Sequence, residues 1–296
     1  MLDPTRDLRD SVALPRNVQV VVAGGGYGGA CAAAALAQLG YHVLVVEPGI
    51  SYEKRLAGEL LHPPALADLR ELGLAGALDA AQSVGGFAVF LGESGHDQRC
   101  VLEYPAGEHG ATIEHGALVT EVFERARNLP GVTAITGRVD GVEHLPDGVA
   151  VTIATGGARH TVTAELLVGA DGRGSHVRKL AGIQTERAQL STMAGFLVET
   201  DALPCPGFGH IFTSGAAPVL AYAIAPGRVR VMIDCDDDVP AALAQPSRFA
   251  ALPAPFRADV LRAIATQKPF LAANSTIVPQ ALALCGKFGL LLDARV

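Results

Sequence analysis

Gly24, Gly26 and Gly29 stand in G-x-G-x-x-G spacing within Gly24-Gly25-Gly26-Tyr27-Gly28-Gly29. A first glycine permits a tight turn. A second lets the backbone approach a pyrophosphate, and a third lets a helix pack closely on a strand. Glu47 ends the next apolar run. A carboxylate there can accept both hydroxyls of an adenosine ribose and disfavours a 2′-phosphate, which points to FAD or NAD rather than NADP. A second glycine-flanked acid, Asp171, follows Leu167-Val168-Gly169-Ala170 and precedes Gly172. By its type alone Asp171 reads equally as a helix N-cap.

Such groups need elements to hold them. Val18 to Ala23 is β-branched and apolar, as in a strand buried on both faces. Ala30 to Leu39 reads as a helix that stops at Gly40. Tyr41 to Glu47 is a second strand, broken by Pro48-Gly49. Strand, glycine turn, helix and strand form one βαβ unit, the context a dinucleotide fingerprint requires. Pro63-Pro64 opens a helix that Gly73 closes, and 83–104 reads as strands and turns. His115 to Arg127 has helical periodicity, and 132–168 alternates as strands: 132–142, 149–153, 161–163 and 166–168. A short helix is predicted through Val177 and Leu180. Beyond residue 185 the strands Met193–Thr200, Ile211–Thr213, Val219–Ala225 and Val229–Ile233 suggest an antiparallel sheet, with Pro226-Gly227 as a hairpin turn. Phe256, Val260, Leu261 and Ile264 mark one helix face.

The expected architecture is α/β. A Rossmann-like FAD-binding domain over 17–184, of glutathione-reductase type, carries an excursion near 83–106. A mainly antiparallel β substrate domain over 185–282 is inserted into it. Residues 1–16 form an N-terminal arm, and 283–296 a truncated return strand.

Composition removes several function classes. Lys and Arg number 23 against 30 Asp and Glu, a net charge of −7, which argues against a nucleic-acid binder. The five cysteines are scattered without CxxC spacing, so reduced thiols in a cytoplasmic protein are expected, at most peripheral to a membrane. No histidine pair has metal-ligand spacing, and Asp234, Asp236, Asp237 and Asp238 read as a solvated acidic turn. No GxSxG occurs, which leaves out a serine hydrolase of that type. His62 reads as a packed or surface histidine before a catalyst.

The Gly-Ala-Asp-Gly segment, paired with the N-terminal fingerprint, resembles the "DG" segment of flavin-dependent aromatic hydroxylases and epoxidases. Arg55-Leu56-Ala57-Gly58-Glu59-Leu60-Leu61-His62-Pro63 is similar to the Arg-x-x-Gly-Glu-x-x-Gln-Pro segment of squalene monooxygenases. His115-Gly116, Leu129-Pro130-Gly131-Val132 and the stretch from Ser214 to Asp234 fit the same family. The resemblance spans roughly residues 17 to 293. It implies FAD as cofactor and NAD(P)H as reductant, directly or through a reductase. It also implies monooxygenation of a bulky apolar, isoprenoid- or polyketide-like substrate by O2, through a flavin C4a-hydroperoxide. The rival expectations are a flavin-binding protein without oxygenase activity and an FAD-dependent isoprenoid reductase.

The implied cofactor set is Gly24, Gly26, Tyr27, Gly28, Gly29, Glu47, Pro48, Arg55, Arg138, Asp171 and Gly172. No side chain is assigned as the catalyst, because the flavin carries the hard step. His62 replaces the family's Gln and Phe87 its Tyr, both on the substrate side. Ala117 replaces an Arg, with Arg125 the nearest basic residue. Asp293 follows Gly289-Leu290-Leu291-Leu292 without the family's Gly-Asp-Ala, which implies weak FAD retention and uncoupled peroxide release.

Overall fold

The computed structural model describes residues 14–49, 59–91, 99–213, 217–235 and 238–279. Arg55 and the stretch 283–296, with Asp293, lie outside the described residues. The chain starts with β1 (Asn17–Ala23), α1 (Tyr27–Gln38) and β2 (Val43–Glu47). Next come β3 (Leu60–Leu61), α2 (Pro63–Glu71), β4 (Gln82–Val84), β5 (Gly86–Phe90), β6 (Arg99–Glu103) and β7 (Gly110–Thr112). Helix α3 (His115–Arg127) leads into β8 (Val132–Thr136), β9 (Arg138–Leu145), β10 (Gly148–Thr155), β11 (Ala158–Gly169) and α4 (His176–Leu180). The remainder is β12 (Thr185–Glu199), β13 (Gly209–Phe212), β14 (Val219–Ala225), β15 (Arg228–Cys235), α5 (Val239–Leu243), α6 (Ala254–Thr266) and β16 (Phe270–Pro279).

A six-stranded sheet in the order β8-β2-β1-β11-β10-β9 forms the first unit. Strands β8, β2, β1 and the second half of β11 run parallel. The first half of β11 pairs antiparallel with β10. Side chains alternate across β1 and β2, and each face has its own core. Val20, Val22, Val43 and Val45 pack with Ala30, Ala33 and Ala34 of α1 and with Val122 and Phe123 of α3. Val21, Ala23, Leu44 and Val46 pack with Val149, Val151 and Ile153 of β10. The result is three layers: helices, parallel strands and an antiparallel meander.

The second unit is a seven-stranded sheet in the order β16-β12-β15-β14-β13-β5-β6. Its core joins Phe196, Phe212, Val231 and Ile233 to Phe249, Phe256 and Val260. Strands β5 and β6 belong to this sheet, so the segment near 83–106 is built into the second unit. On α6, Phe256 and Val260 are buried and Ile264 packs against the core, but Leu261 faces outward at 43% exposure. Its position one residue past Val260 turns it off the buried stripe. A small sheet, β3-β7-β4, lies between the two units.

Candidate cofactor site

The glycine loop leaves β1 at its C-terminal end. Gly24 has φ +101°, and its N–H donates to the Val46 carbonyl at 2.9 Å. A Cβ on Gly24 would meet the Ala170 carbonyl, so both conformation and space require glycine. A Cβ on Gly29 would meet the Gly24 carbonyl, which lets α1 sit directly on the strand end. For Gly26 and Gly28, no described atom lies within 4 Å of where a Cβ would sit. Gly26 is the N-cap of α1, no side chain caps that helix, and its first turn holds no acid. Its leading N–H groups and the positive end of its dipole therefore face an open approach. The three fingerprint glycines occupy the positions their spacing predicted. Gly25 is an addition the pattern does not specify: a Cβ there would lie 2.6 Å from the Phe123 ring.

Glu47 is 7% exposed and already has partners. Its Oε2 accepts from the Gly25 N–H at 2.6 Å and its Oε1 from the Gly49 N–H at 3.0 Å. The carboxylate ties the glycine loop to the turn at Pro48-Gly49, and each oxygen keeps a lone pair for another donor. Burial raises the Tyr27 phenol to about 12, with Cys31 and Asp68 adding to the shift, so the ring stays neutral. What Tyr27 offers at the loop is its backbone N–H.

The second loop follows β11, the parallel neighbour of β1. The Ala170 N–H donates to the Ala23 carbonyl at 2.8 Å, which holds the two strand ends together. Asp171 Oδ1 accepts from the Ser175 hydroxyl, and its Oδ2 accepts from the His176 and Val177 N–H groups at 2.6 and 3.0 Å. Ser175 Oγ in turn accepts from the Arg178 N–H at 3.0 Å. The N-cap of α4 is Ser175 rather than Asp171, which instead holds the helix's first two N–H groups from the loop before the cap. Gly172, at φ +83°, has no described atom within 4 Å of a Cβ.

Arg138 lies one residue past Gly137, whose N–H donates to the Glu47 carbonyl. Its guanidinium binds Asp140 at 2.9 and 3.1 Å, and Arg159 grips the other oxygen of the same carboxylate. These two hydrogen-bonding cations hold the Asp140 carboxyl below its ordinary pKa. Arg125 faces elsewhere, against Gly76 and toward Asp79 and Glu121. Among the described residues no group of three His, Cys, Asp or Glu side chains could hold a metal ion. Asp238 caps α5 through the Ala241 N–H.

The structure also joins residues far apart in sequence. Glu59, 1% exposed, takes two hydrogen bonds from Arg230, at 2.8 and 2.9 Å, and one from the Tyr222 hydroxyl at 3.3 Å. The Thr112 hydroxyl donates to the Ala223 carbonyl at 2.5 Å. These bonds seat β14 and β15 on the small sheet beside the first unit. A sequence signal for the pair exists: an arginine between Val229 and Val231 in a buried strand needs a carboxylate.

Parallel strands β2 and β11 flank β1 on opposite sides, and both glycine loops lie at the carboxyl ends. That crevice is where open α/β sheets take dinucleotides. Site and fold together define a dinucleotide-binding protein. The FAD binding domain family matches residues 17–229, and the chain belongs to that family. FAD is its cofactor.

The squalene epoxidase of Aspergillus fumigatus is 27% identical over 249 residues, covering 81% of this chain and 51% of that protein. The 6-methylpretetramide 4-monooxygenase of Streptomyces rimosus is 34% identical over 234 residues, covering 73% of this chain and 52% of that one. The chain thus spans about half the length of these relatives. The tetrameric form of 2-methyl-3-hydroxypyridine-5-carboxylic acid oxygenase superposes with a TM-score of 0.73 at 21% identity, covering 95% of this chain and 76% of that chain. The flavin-dependent halogenase CmlS superposes at 0.70 and 21% identity, covering 95% of this chain and 54% of that chain. These superpositions establish the glutathione-reductase-like fold with its antiparallel second sheet. No helix among the described residues is long and apolar enough to cross a membrane.

Proposed function

We propose that this chain is the flavin-binding and substrate-facing part of an FAD-dependent monooxygenase that epoxidises or hydroxylates a bulky apolar substrate of isoprenoid or polyketide type. The observation that carries the reading is the pair of glycine loops at the ends of β1 and β11, with open space before Gly26 and Gly28 and a buried carboxylate, Glu47, beside them. The N–H groups at the start of α1 would hold the diphosphate, Glu47 the ribose, and the Asp171-Gly172 turn the part of the cofactor nearest β11. Tyr27, Pro48 and Arg138 would border the adenosine half, and Arg55 would join them from the segment before Glu59. Bound flavin supplies the oxygen-activating chemistry. The protein's share is to position the cofactor, seat the substrate against the second sheet and exclude water. The relatives' names support the substrate class, since one acts on squalene and one on 6-methylpretetramide. NAD(P)H, directly or through a reductase, is the reductant in this reading.

The test is reconstitution with FAD, followed by turnover with NADPH or NADH under isotopically labelled dioxygen. Squalene and an aromatic polyketide serve as probes. Bound flavin and one labelled oxygen atom in whatever oxygenated product forms are expected. Absence of flavin binding, or reduction of a substrate double bond without label, would overturn the reading.

A further inference from the structure

Strand β6 is one edge of the seven-stranded sheet and pairs there with β5 alone. Every residue from Arg99 to Glu103 is exposed, with Val101 at 39% and Leu102 at 55%. The ladder fixes which way its backbone groups point. The Tyr104 N–H donates to the Gly85 carbonyl at 2.9 Å, one step beyond the Gly86–Glu103 pair. At the other end the Phe90 carbonyl, opposite Arg99, accepts from the Thr213 N–H at 3.1 Å and so faces away from β6. In an antiparallel ladder the direction alternates residue by residue. Cys100 and Leu102 therefore turn their N–H and C=O groups toward β5. Arg99, Val101 and Glu103 turn theirs outward, where no other described strand pairs with them.

Such edges are ordinarily blunted by a lysine, a proline, a bulge or a covering element. Strand β6 has no lysine, no proline and no register shift against β5. Its charges follow a different pattern. Arg99 and Glu103 each stand two positions from Val101, so the three share one face of the strand. A two-fold axis through Val101 would lay a second β6 antiparallel to the first. Arg99 would then face Glu103 of the second copy, Glu103 its Arg99, and Val101 its Val101. These are the residues whose backbone groups point outward, so each pair would also exchange two main-chain hydrogen bonds. On the opposite face Cys100 would meet Leu102, and both are exposed. A parallel pairing in the same register would set like charges side by side. Arg99 Nη1 donates to Cys205 Sγ at 3.3 Å. A thiol is a weak acceptor, and the guanidinium keeps its other donors for a carboxylate.

We propose that β6 is a self-association edge: two copies of this chain pair β6 against β6, antiparallel about Val101, and so extend the seven-stranded sheet across a two-fold dimer. The partner is a second copy rather than an unrelated strand because the same five residues supply both halves of each ion pair. Main-chain bonds supply the attraction and the charges set the register. The contact is shorter than a standard interface, so the dimer is weak and concentration-dependent.

Sedimentation equilibrium of the full chain tests this from about 1 μM to about 1 mM, the range in which a contact of this size associates. The wild type is expected to pass from monomer to dimer. Val101→Pro removes an outward N–H at an edge position where proline is tolerated, and should weaken the dimer about ten-fold. Arg99→Glu and Glu103→Arg each set like charges opposite one another in both symmetry-related pairs, and should also weaken it about ten-fold. The double charge swap keeps the pairing complementary and should return the dissociation constant to within about two-fold of the wild type. Thermal midpoints measured on dilute samples should match throughout, since every changed side chain is exposed. If Val101→Pro fails to fold, the charge variants still decide. A wild type that stays monomeric at every concentration overturns the proposal. So does a dimer that tolerates both single reversals, or a double swap no tighter than the singles.

Discussion

A methyl group added at Gly29 meets the Gly24 carbonyl, whereas one added at Gly26 meets no described atom within 4 Å. Gly26 also has an ordinary φ of −61°. The two glycines should therefore fail differently. Gly29→Ala forces α1 off the strand and should lower stability by about 1–3 kcal/mol, the usual range for overpacking. Gly26→Val meets no described atom but places a poor N-cap residue at the start of α1, so it should cost about 1 kcal/mol of stability at most, yet abolish flavin retention after gel filtration. A Gly26→Val protein that holds stoichiometric flavin would place the cofactor elsewhere. Glu47 carries a related distinction. Its two N–H partners belong to the protein, so Glu47→Gln loses one acceptor and should destabilise the flavin-free chain by about 1–3 kcal/mol. Urea denaturation of apoprotein measures this directly. An unchanged midpoint would mean that the loop does not depend on the carboxylate.

Strand β13 carries a titratable group within an aromatic stack. His210 is fully buried, with Phe90 and Phe212 each 6.0 Å away and nearly coplanar. Its Nε2 accepts from the Cys205 N–H at 3.1 Å, so the neutral ring carries its proton on Nδ1. Burial lowers its pKa to about 4 from an ordinary 6.5. Below pH 6.5 the unfolded chain takes up a proton that the folded chain refuses until about pH 4. The stability from the neutral ring is thus complete above that upper value and is lost as pH falls toward the lower one. Urea midpoints near pH 7 and pH 5 should differ by about 2 kcal/mol from this group, and His210→Gln should remove most of the difference. An equal acid loss in the variant would assign the effect to other groups.

The same scale shows what a sequence conveys. Helix α3 covers the residues its apolar period marked, because one face is buried throughout. Strand β11 was legible only as two pieces, 161–163 and 166–168. It is one strand whose halves serve different partners, β10 and β1, and pairing across a sheet leaves no local trace. Strand β12 starts at Thr185 rather than Met193, since its polar first half is held by β16 and not by a buried face. The fingerprint was legible for the opposite reason: its glycines answer to local turn geometry and close approach.

At the scale of the whole molecule, the small and seven-stranded sheets are joined by an ion pair whose partners, Glu59 and Arg230, are 171 residues apart, so the sequence shows that Arg230 needs a carboxylate but not which one. Their side chains are 1% and 7% exposed. Arg230 Nη1 is buried without a hydrogen-bond partner among the described residues, so this bridge is not fully compensated. Buried pairs of this kind add little over a well-packed apolar replacement, but losing one partner strands the other charge. Arg230→Met should therefore destabilise the chain by about 3–5 kcal/mol, and Glu59→Leu by a similar amount. The double variant should recover most of that loss, because neither charge remains. Its coupling, read from urea denaturation of all four proteins, should exceed about 2 kcal/mol. Flavin content of the double variant adds a second readout. Glu59 also lies within reach of the His115 N–H at the start of α3 and holds Tyr222, whose phenol burial keeps protonated. A stable double variant that retains flavin assigns the pair to docking the sheets; one that folds and loses flavin assigns it to shaping the cofactor crevice as well. Additive single effects would mean that the sheets are held together by Thr112 and the apolar contacts around it, with the ion pair a bystander.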